Sequence, residues 1–174
     1  IDQMLGGKTP AYNMPGSLLL EGPLDVRALE TVLVEILRRH ESLRTSFSST
    51  DGVPCQKVHE SVDFALERVD LRGHDRPEEA ARHRGQDHAA VPFDIEKAPL
   101  FRAELLHLDG PDPGSAGVAD EGRHVLLYNL HHIICDEWSL GVLVRELAVL
   151  YRAFVNKQPS PLPPLPLQYK DFAA

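Results

Sequence analysis

A two-layer α/β sandwich is the fold this sequence predicts, and three features predict it. Short apolar runs closed by turn-forming residues alternate with longer stretches whose apolar positions recur at helical spacing. The two richest strand candidates, residues 100–108 and 125–130, are dense in Leu and Val. At 174 residues the chain is long enough to bury a real core, as one domain or one large lobe. Interleaved strands and helices imply a sheet with helices packed on it, with the strand order left open.

The elements follow in order. Residues 17–22 are a short apolar run closed by Gly22-Pro23, and read as a strand. Asp25 stands where an N-cap is wanted, and Val26, Leu29, Leu33, Ile36 and Leu37 repeat at helical spacing. That predicts a helix to about His40. Residues 43–47 and 53–58 form a plausible hairpin around residues 48–52. Residues 77–90 are polar but helix-tolerant, which suits a surface helix. Residues 109–122 hold four Gly, two Pro and four acidic residues, which is loop chemistry. Leu140, Val144, Leu147, Tyr151 and Phe154 then make an amphipathic stripe, predicting a helix opened by Trp138 or Ser139 and ending near Asn156. Five prolines within residues 159–166 exclude helix and central strand, leaving an extended connector.

Composition narrows the function. A formal net charge of −8 favours neither nucleic acid nor an anionic membrane as partner. The two cysteines, Cys55 and Cys135, lie far apart and suggest no disulfide framework, which fits a reducing, cytoplasmic setting. No apolar run reaches membrane-spanning length, and the N-terminus lacks the pattern of a signal peptide. The chain starts at Ile1 rather than methionine, which suggests excision from a longer chain, and the composition as a whole is that expected of a soluble intracellular piece.

Residues 130–139 carry the chemistry. Two imidazoles, a carboxylate and an indole follow directly on a strand, and histidine is the side chain best suited to moving protons near neutral pH. Strand alternation sends Val125, Leu127, Asn129 and His131 to one face, and Leu126, Tyr128, Leu130 and His132 to the other. The two histidines therefore divide into one group at a reaction site and one buried framework group. Asp136, at the mouth of the last helix, is placed to orient an imidazole, bind an arginine or cap the helix. A metal site is not expected from His131, His132 and Asp136, because the strand splits the histidines and zinc wants three or four convergent ligands. Cys135 is expected as a packed small side chain, and Trp138 as a packing anchor at the helix start. His40, His59, His74, His83, His88, His107 and His124 are expected mostly as solvent-facing or structural groups.

These residues resemble the condensation domains of nonribosomal peptide synthetases. Their HHxxxDG motif is matched by His131-His132-Ile133-Ile134-Cys135-Asp136, and RHExLRTxF is matched in full by Arg39-His40-Glu41-Ser42-Leu43-Arg44-Thr45-Ser46-Phe47. Weaker echoes are Ala11-Tyr12-Asn13-Met14-Pro15, Pro92-Phe93-Asp94, Pro99-Leu100-Phe101-Arg102-Ala103 and Leu167-Gln168-Tyr169. Their order and approximate spacing also agree, so the resemblance covers nearly the whole chain.

The resemblance implies a V-shaped pair of lobes, each similar to chloramphenicol acetyltransferase, with the active site between them. Residues 1–158 would be the N-terminal lobe, lacking its extreme N-terminus, and residues 159–174 a Pro-rich connector toward a C-terminal lobe. It implies amide formation between substrates delivered by donor and acceptor peptidyl carrier proteins on phosphopantetheine arms, beside a neighbouring adenylation domain. No cofactor is expected on this chain itself. His132 maps to the catalytic histidine, while His131 and Asp136 map to structural positions. Arg44 is the implied ion-pair partner of Asp136, a pairing that arginine's fork geometry favours. Glu137 replaces the family's glycine, adding bulk and charge, and with Trp138 is expected beside the substrate path. The isolated lobe is expected to be inactive. Two alternatives stand: an epimerisation domain, whose additional glutamate would lie in the other lobe, and a noncatalytic docking domain.

Overall fold

A computed structural model describes residues 9–110 and 122–171. The first regular elements answer the sequence closely. Strand β1 (Asn13–Glu21) includes the predicted run and begins four residues earlier. Helix α1 (Val26–Arg39) is capped by Asp25, whose Oδ1 accepts from the Ala28 amide at 2.9 Å. Its buried positions are Ala28, Leu29, Val32, Leu33, Ile36 and Leu37, the stripe that the spacing implied. A single 3-10 turn (Glu41–Arg44) then leads into a hairpin of β2 (Thr45–Thr50) and β3 (Val53–Val58). The hairpin is tighter than the five-residue turn expected. Asp51 and Gly52 both have positive φ, 53° and 80°, the two-residue geometry that matches strand twist.

The remaining elements are β4 (Glu67–Asp70), α2 (Pro77–Ala90), β5 (Phe101–Asp109), β6 (Arg123–His131) and α3 (Glu137–Val155). The α2 bounds match the sequence reading. β4 is an addition: Val69 is its one aliphatic residue, so nothing in its pattern announced a strand, and pairing with β5 creates it. Most of the loop expected at residues 109–122 lies outside the described residues. The main sheet has the order β1-β6-β5-β4, antiparallel except for the parallel β5–β4 pair, and β2–β3 form a separate two-stranded sheet.

The sheet's two faces bury different sets of side chains. Phe101, Ala103, Leu105, Leu126 and Leu130 join Leu29, Val32 and Leu33 of α1 and Leu150 of α3 in the larger cluster. Helices α1 and α3 thus cover this face of the sheet. Leu106, Leu108 and Leu127 pack with Ala81 of α2 in a smaller cluster on the other face. β5 is accordingly buried along almost its whole length. On β1, Gly16 lies opposite Tyr128, and a Cβ at Gly16 would overlap the tyrosine ring, so the close approach requires glycine there.

Three strands hold the C-terminal end of α2. Asn13 Nδ2 donates to Ala89 O at 2.7 Å and Val91 O at 2.8 Å, and Asn129 Nδ2 donates to His88 O at 3.1 Å. Arg102 donates to the carbonyls of Val91 and Pro92 while its guanidinium covers the Phe93 ring at 3.8 Å. Carbonyls at and just beyond a helix's C-terminus need partners, and a cation there is favourable. The same sheet end carries His131.

Helix α3 packs four of the five predicted stripe residues, Leu140, Leu147, Tyr151 and Phe154, against the larger cluster, and departs from the prediction at Val144. Its fully buried positions are Glu146, Leu150 and Ala153, whereas Val144 is 38% exposed. Glu146 is turned inward, where Arg39 at the end of α1 donates to it and the His40 ring lies beside it.

Candidate active site

The site grows from the end of β6. The His131 amide donates to Leu100 O at 3.1 Å and the His132 amide to Tyr12 O at 2.8 Å, so both neighbouring segments hold the strand end. The chain then turns, with the Ile134 amide donating to His131 O at 3.1 Å. His131 is 3% exposed, and its Nδ1 accepts from the Ile133 amide at 3.1 Å. Its ring lies against Tyr12 and edge-on to Phe93, with centroids 5.9 and 6.2 Å away. Accepting at Nδ1 puts the proton of a neutral ring on Nε2. His131 is thus a buried brace for the turn, while His132 is exposed. The pair is split as the sequence predicted, one buried and one exposed, but β6 ends at His131 and the turn after it, not strand alternation, exposes His132.

His132 lines a cleft of about 580 Å³. Its other walls include His40, Trp138, Val142, Leu165 and Tyr169, drawn from the turn after α1, from α3 and from the connector. Trp138 is not the packing anchor expected. It is 81% exposed, because the second helical position turns its indole toward the cleft and away from the core.

Asp136 adopts one of its three possible roles, the helix cap. Its Oδ1 accepts from the Ser139 amide at 2.8 Å and from the Ser139 hydroxyl at 2.6 Å. Those two bonds, hydroxyl first, hold its carboxyl below the usual value, with a smaller attraction from His132. The ion pair with Arg44 is not formed. Arg44 instead donates to the carbonyls of His59 and Arg38 and lies 3.9 Å from Glu41. The 3-10 turn points it toward β3, and Asp136 is already engaged at the mouth of α3.

Glu137 is the first residue of α3, exposed and not among the cleft-lining side chains. The positive φ that a glycine would permit is not used at this position, and a carboxylate suits the positive end of a helix. Burial pushes the Cys135 thiol up to about 11, helped by the Asp136 charge. Among the described residues no group of three or more His, Cys, Asp or Glu is arranged to hold a metal, and no helix is long and apolar enough to cross a membrane.

One cluster escaped the sequence reading. Glu146, 9% exposed, accepts from Arg39 Nε at 3.1 Å through both carboxylate oxygens, and lies 2.7 Å from His40 Nε2. Its signal was available: a carboxylate three residues after Leu143 and four before Leu150, inside an apolar stripe.

Fold and site together define an α/β fold with an accessible imidazole just past a strand end, beside a buried one. The chain belongs to the condensation-domain family, whose model matches residues 1–174. It is 48% identical over 171 residues to chondramide synthase cmdD of Chondromyces crocatus, covering 97% of this chain and 4% of that protein. It is 43% identical to surfactin synthase subunit 1 of Bacillus subtilis (strain 168), covering 93% of this chain and 4% of that protein. Among solved structures, the first condensation domain of the calcium-dependent antibiotic synthetase, in complex with a substrate analogue, aligns with a TM-score of 0.80 and 26% identity. That alignment covers 92% of this chain and 36% of the other. The X-domain from teicoplanin biosynthesis, in complex with OxyB, aligns with a TM-score of 0.80 and 31% identity, covering 95% of this chain and 33% of the other. The chain therefore spans a small fraction of these synthetases and about a third of the solved chains.

Proposed function

We propose that this lobe supplies the catalytic face of a condensation domain that joins two carrier-bound thioesters through an amide bond. The observation that carries the reading is the accessibility of His132 in the cleft, set against the burial of its neighbour. The acceptor's α-ammonium gives up a proton, and its nitrogen attacks the donor's thioester carbonyl carbon. The new C–N bond gives a tetrahedral adduct, which loses the amine's second proton as the C–S bond breaks. The leaving thiolate takes up a proton. The growing chain ends on the acceptor.

His132 accepts the amine's proton in this scheme. General base catalysis of this kind contributes about 10²–10⁴-fold, while positioning two tethered reactants contributes up to ~7–11 kcal/mol. Asp136, by capping α3 beside His132, keeps a negative charge near the imidazolium that forms. His131 fixes the turn, and Arg44 fixes the segment of the second motif on the opposite side of the cleft. The phosphopantetheine arms belong to the donor and acceptor carrier proteins, and arrive as substrate. A C-terminal lobe beyond residue 174 closes the cleft, and an adenylation domain loads the acceptor. In this reading residues 1–174 alone do not turn over.

The test is His132→Ala in the intact synthetase with both carriers loaded. Because His132 is exposed, the variant folds. Amide formation, read by product mass, drops by at least roughly 100-fold. A rate equal to wild type removes His132 from the chemistry.

A further inference from the structure

The connector does not hang free of the lobe. Arg39 Nη1 donates to Pro163 O at 2.5 Å, and Gln168 Nε2 donates to Arg39 O at 3.1 Å. The Glu41 amide donates to Gln168 Oε1 at 3.1 Å, and Lys170 Nζ lies 2.7 Å from Glu41 Oε2. Residues 39–41, the start of the second motif, are thereby clasped by residues 163–170. Two of these residues are held in turn by Glu146. Its carboxylate takes the Arg39 guanidinium on one side and the His40 ring on the other. The side chains of Arg39, His40 and Glu146 are 10%, 17% and 11% exposed, so water competes little with the pairing.

Both groups that Glu146 holds bear on the cleft. His40 lines it, and the clasped connector supplies a wall through Leu165, Leu167 and Tyr169. Ile133, Val142 and Leu143 add to the apolar lining. The cleft beside His132 therefore has apolar walls interrupted by His40, Ser42, Asp136, Ser139 and Gln168, and its width depends on where the connector is pinned.

We propose that Glu146, acting through Arg39 and with Gln168, is a positioning element that fixes the connector as a wall of the cleft and so sets which side chains the carrier-bound substrates present. The favoured class is an aliphatic acyl or aminoacyl side chain. This rests on the reading of the cleft as the condensation site. The three residues touch no reacting atom. Their effect falls on binding and on discrimination between substrates, because a wall that shifts loses contacts in ground state and transition state alike.

The experiment uses the intact synthetase with carriers loaded with either leucyl or glycyl thioesters. Gln168→Ala releases the connector without touching the buried pair, and Glu146→Gln removes the charge that holds Arg39. Each variant lowers the leucyl-to-glycyl ratio of kcat/KM by roughly threefold or more through KM, with kcat held within about twofold. Hydrogen exchange over residues 161–171 speeds up while β6 keeps its protection. Because the residues act as one unit, the double variant changes the ratio little beyond either single one. An unchanged ratio with a loosened connector overturns the proposal, as does unchanged exchange in both variants. His132→Ala, run alongside, separates the two readings: full activity there defeats the assignment of the base, whatever the selectivity ratios show.

Discussion

Cys135 and Cys55 are the same side chain in two electrical settings. Cys55 is exposed on β3, while Cys135 sits under the histidine turn at 6% exposure with its thiol pushed up to about 11. At pH 8 only about one Cys135 in a thousand carries the reactive thiolate. Iodoacetamide at that pH is expected to add one label, at Cys55, and a second only in denaturant, as read by intact mass. Glu137 supports an equally local expectation. As the first residue of α3 it complements the helix's positive end, and Glu137→Gly forfeits both that charge and helix propensity. The loss is about 1 kcal/mol by urea denaturation. Because Glu137 stands outside the cleft lining, amide formation by the intact synthetase is expected to stay within about twofold. At this scale the sequence was most legible where geometry is periodic. A period of two placed His131 on the buried face of β6, and the turn that follows the strand exposes His132. The role of Asp136 was open because three partners lay within reach of a short acid, and Ser139, three residues on, took it.

The helices and strands differ in how much of their own reason they carry. α1 announced itself through Asp25 and its apolar spacing, and α2 through its length and polarity. β4 exists only because β5 offers it hydrogen bonds, and no local pattern records that. α3 was readable in extent and in its apolar stripe, but the inward turn of Glu146 was not, since its partners lie more than a hundred residues earlier. α2 also hides a titration. His88, 7% exposed on its inner face, has its pKa lowered chiefly by burial, with Arg102 and Arg84 adding to the effect and Glu104 opposing it. The unfolded chain protonates this histidine near the ordinary value of 6.5, and the native state does so only at lower pH. The contribution to stability is therefore whole above about pH 6.5 and is lost as pH falls through the native value. The urea midpoint of the chain should decline between pH 7.5 and 5.5, and decline less in His88→Gln. Parallel slopes for the two proteins would show that the proton uptake lies elsewhere.

Across the whole molecule, three parts converge on one cleft: a braced histidine turn, the head of α3, and a wall of connector. Trp138 at 81%, Tyr169 at 70% and Leu167 at 55% exposure mark its open side, the side on which a second lobe is expected to close. The five prolines did predict an extended segment, yet nothing in their spacing revealed that the segment is held. The hydrogen-bonding groups that hold it belong to Arg39, Glu41 and Gln168, and only folding brings them together. For anyone recombining synthetases, this moves the seam. A chimera joined at residue 158 would set a foreign strap across the native residues 39–41, exchanging Gln168 and Lys170 for whatever the donor carries. A chimera joined beyond residue 171 keeps strap and lobe from one parent. The later junction is expected to give the higher melting temperature and the larger soluble yield from the same pair of parents. Equal values for the two junctions would mean that strap and lobe are interchangeable parts.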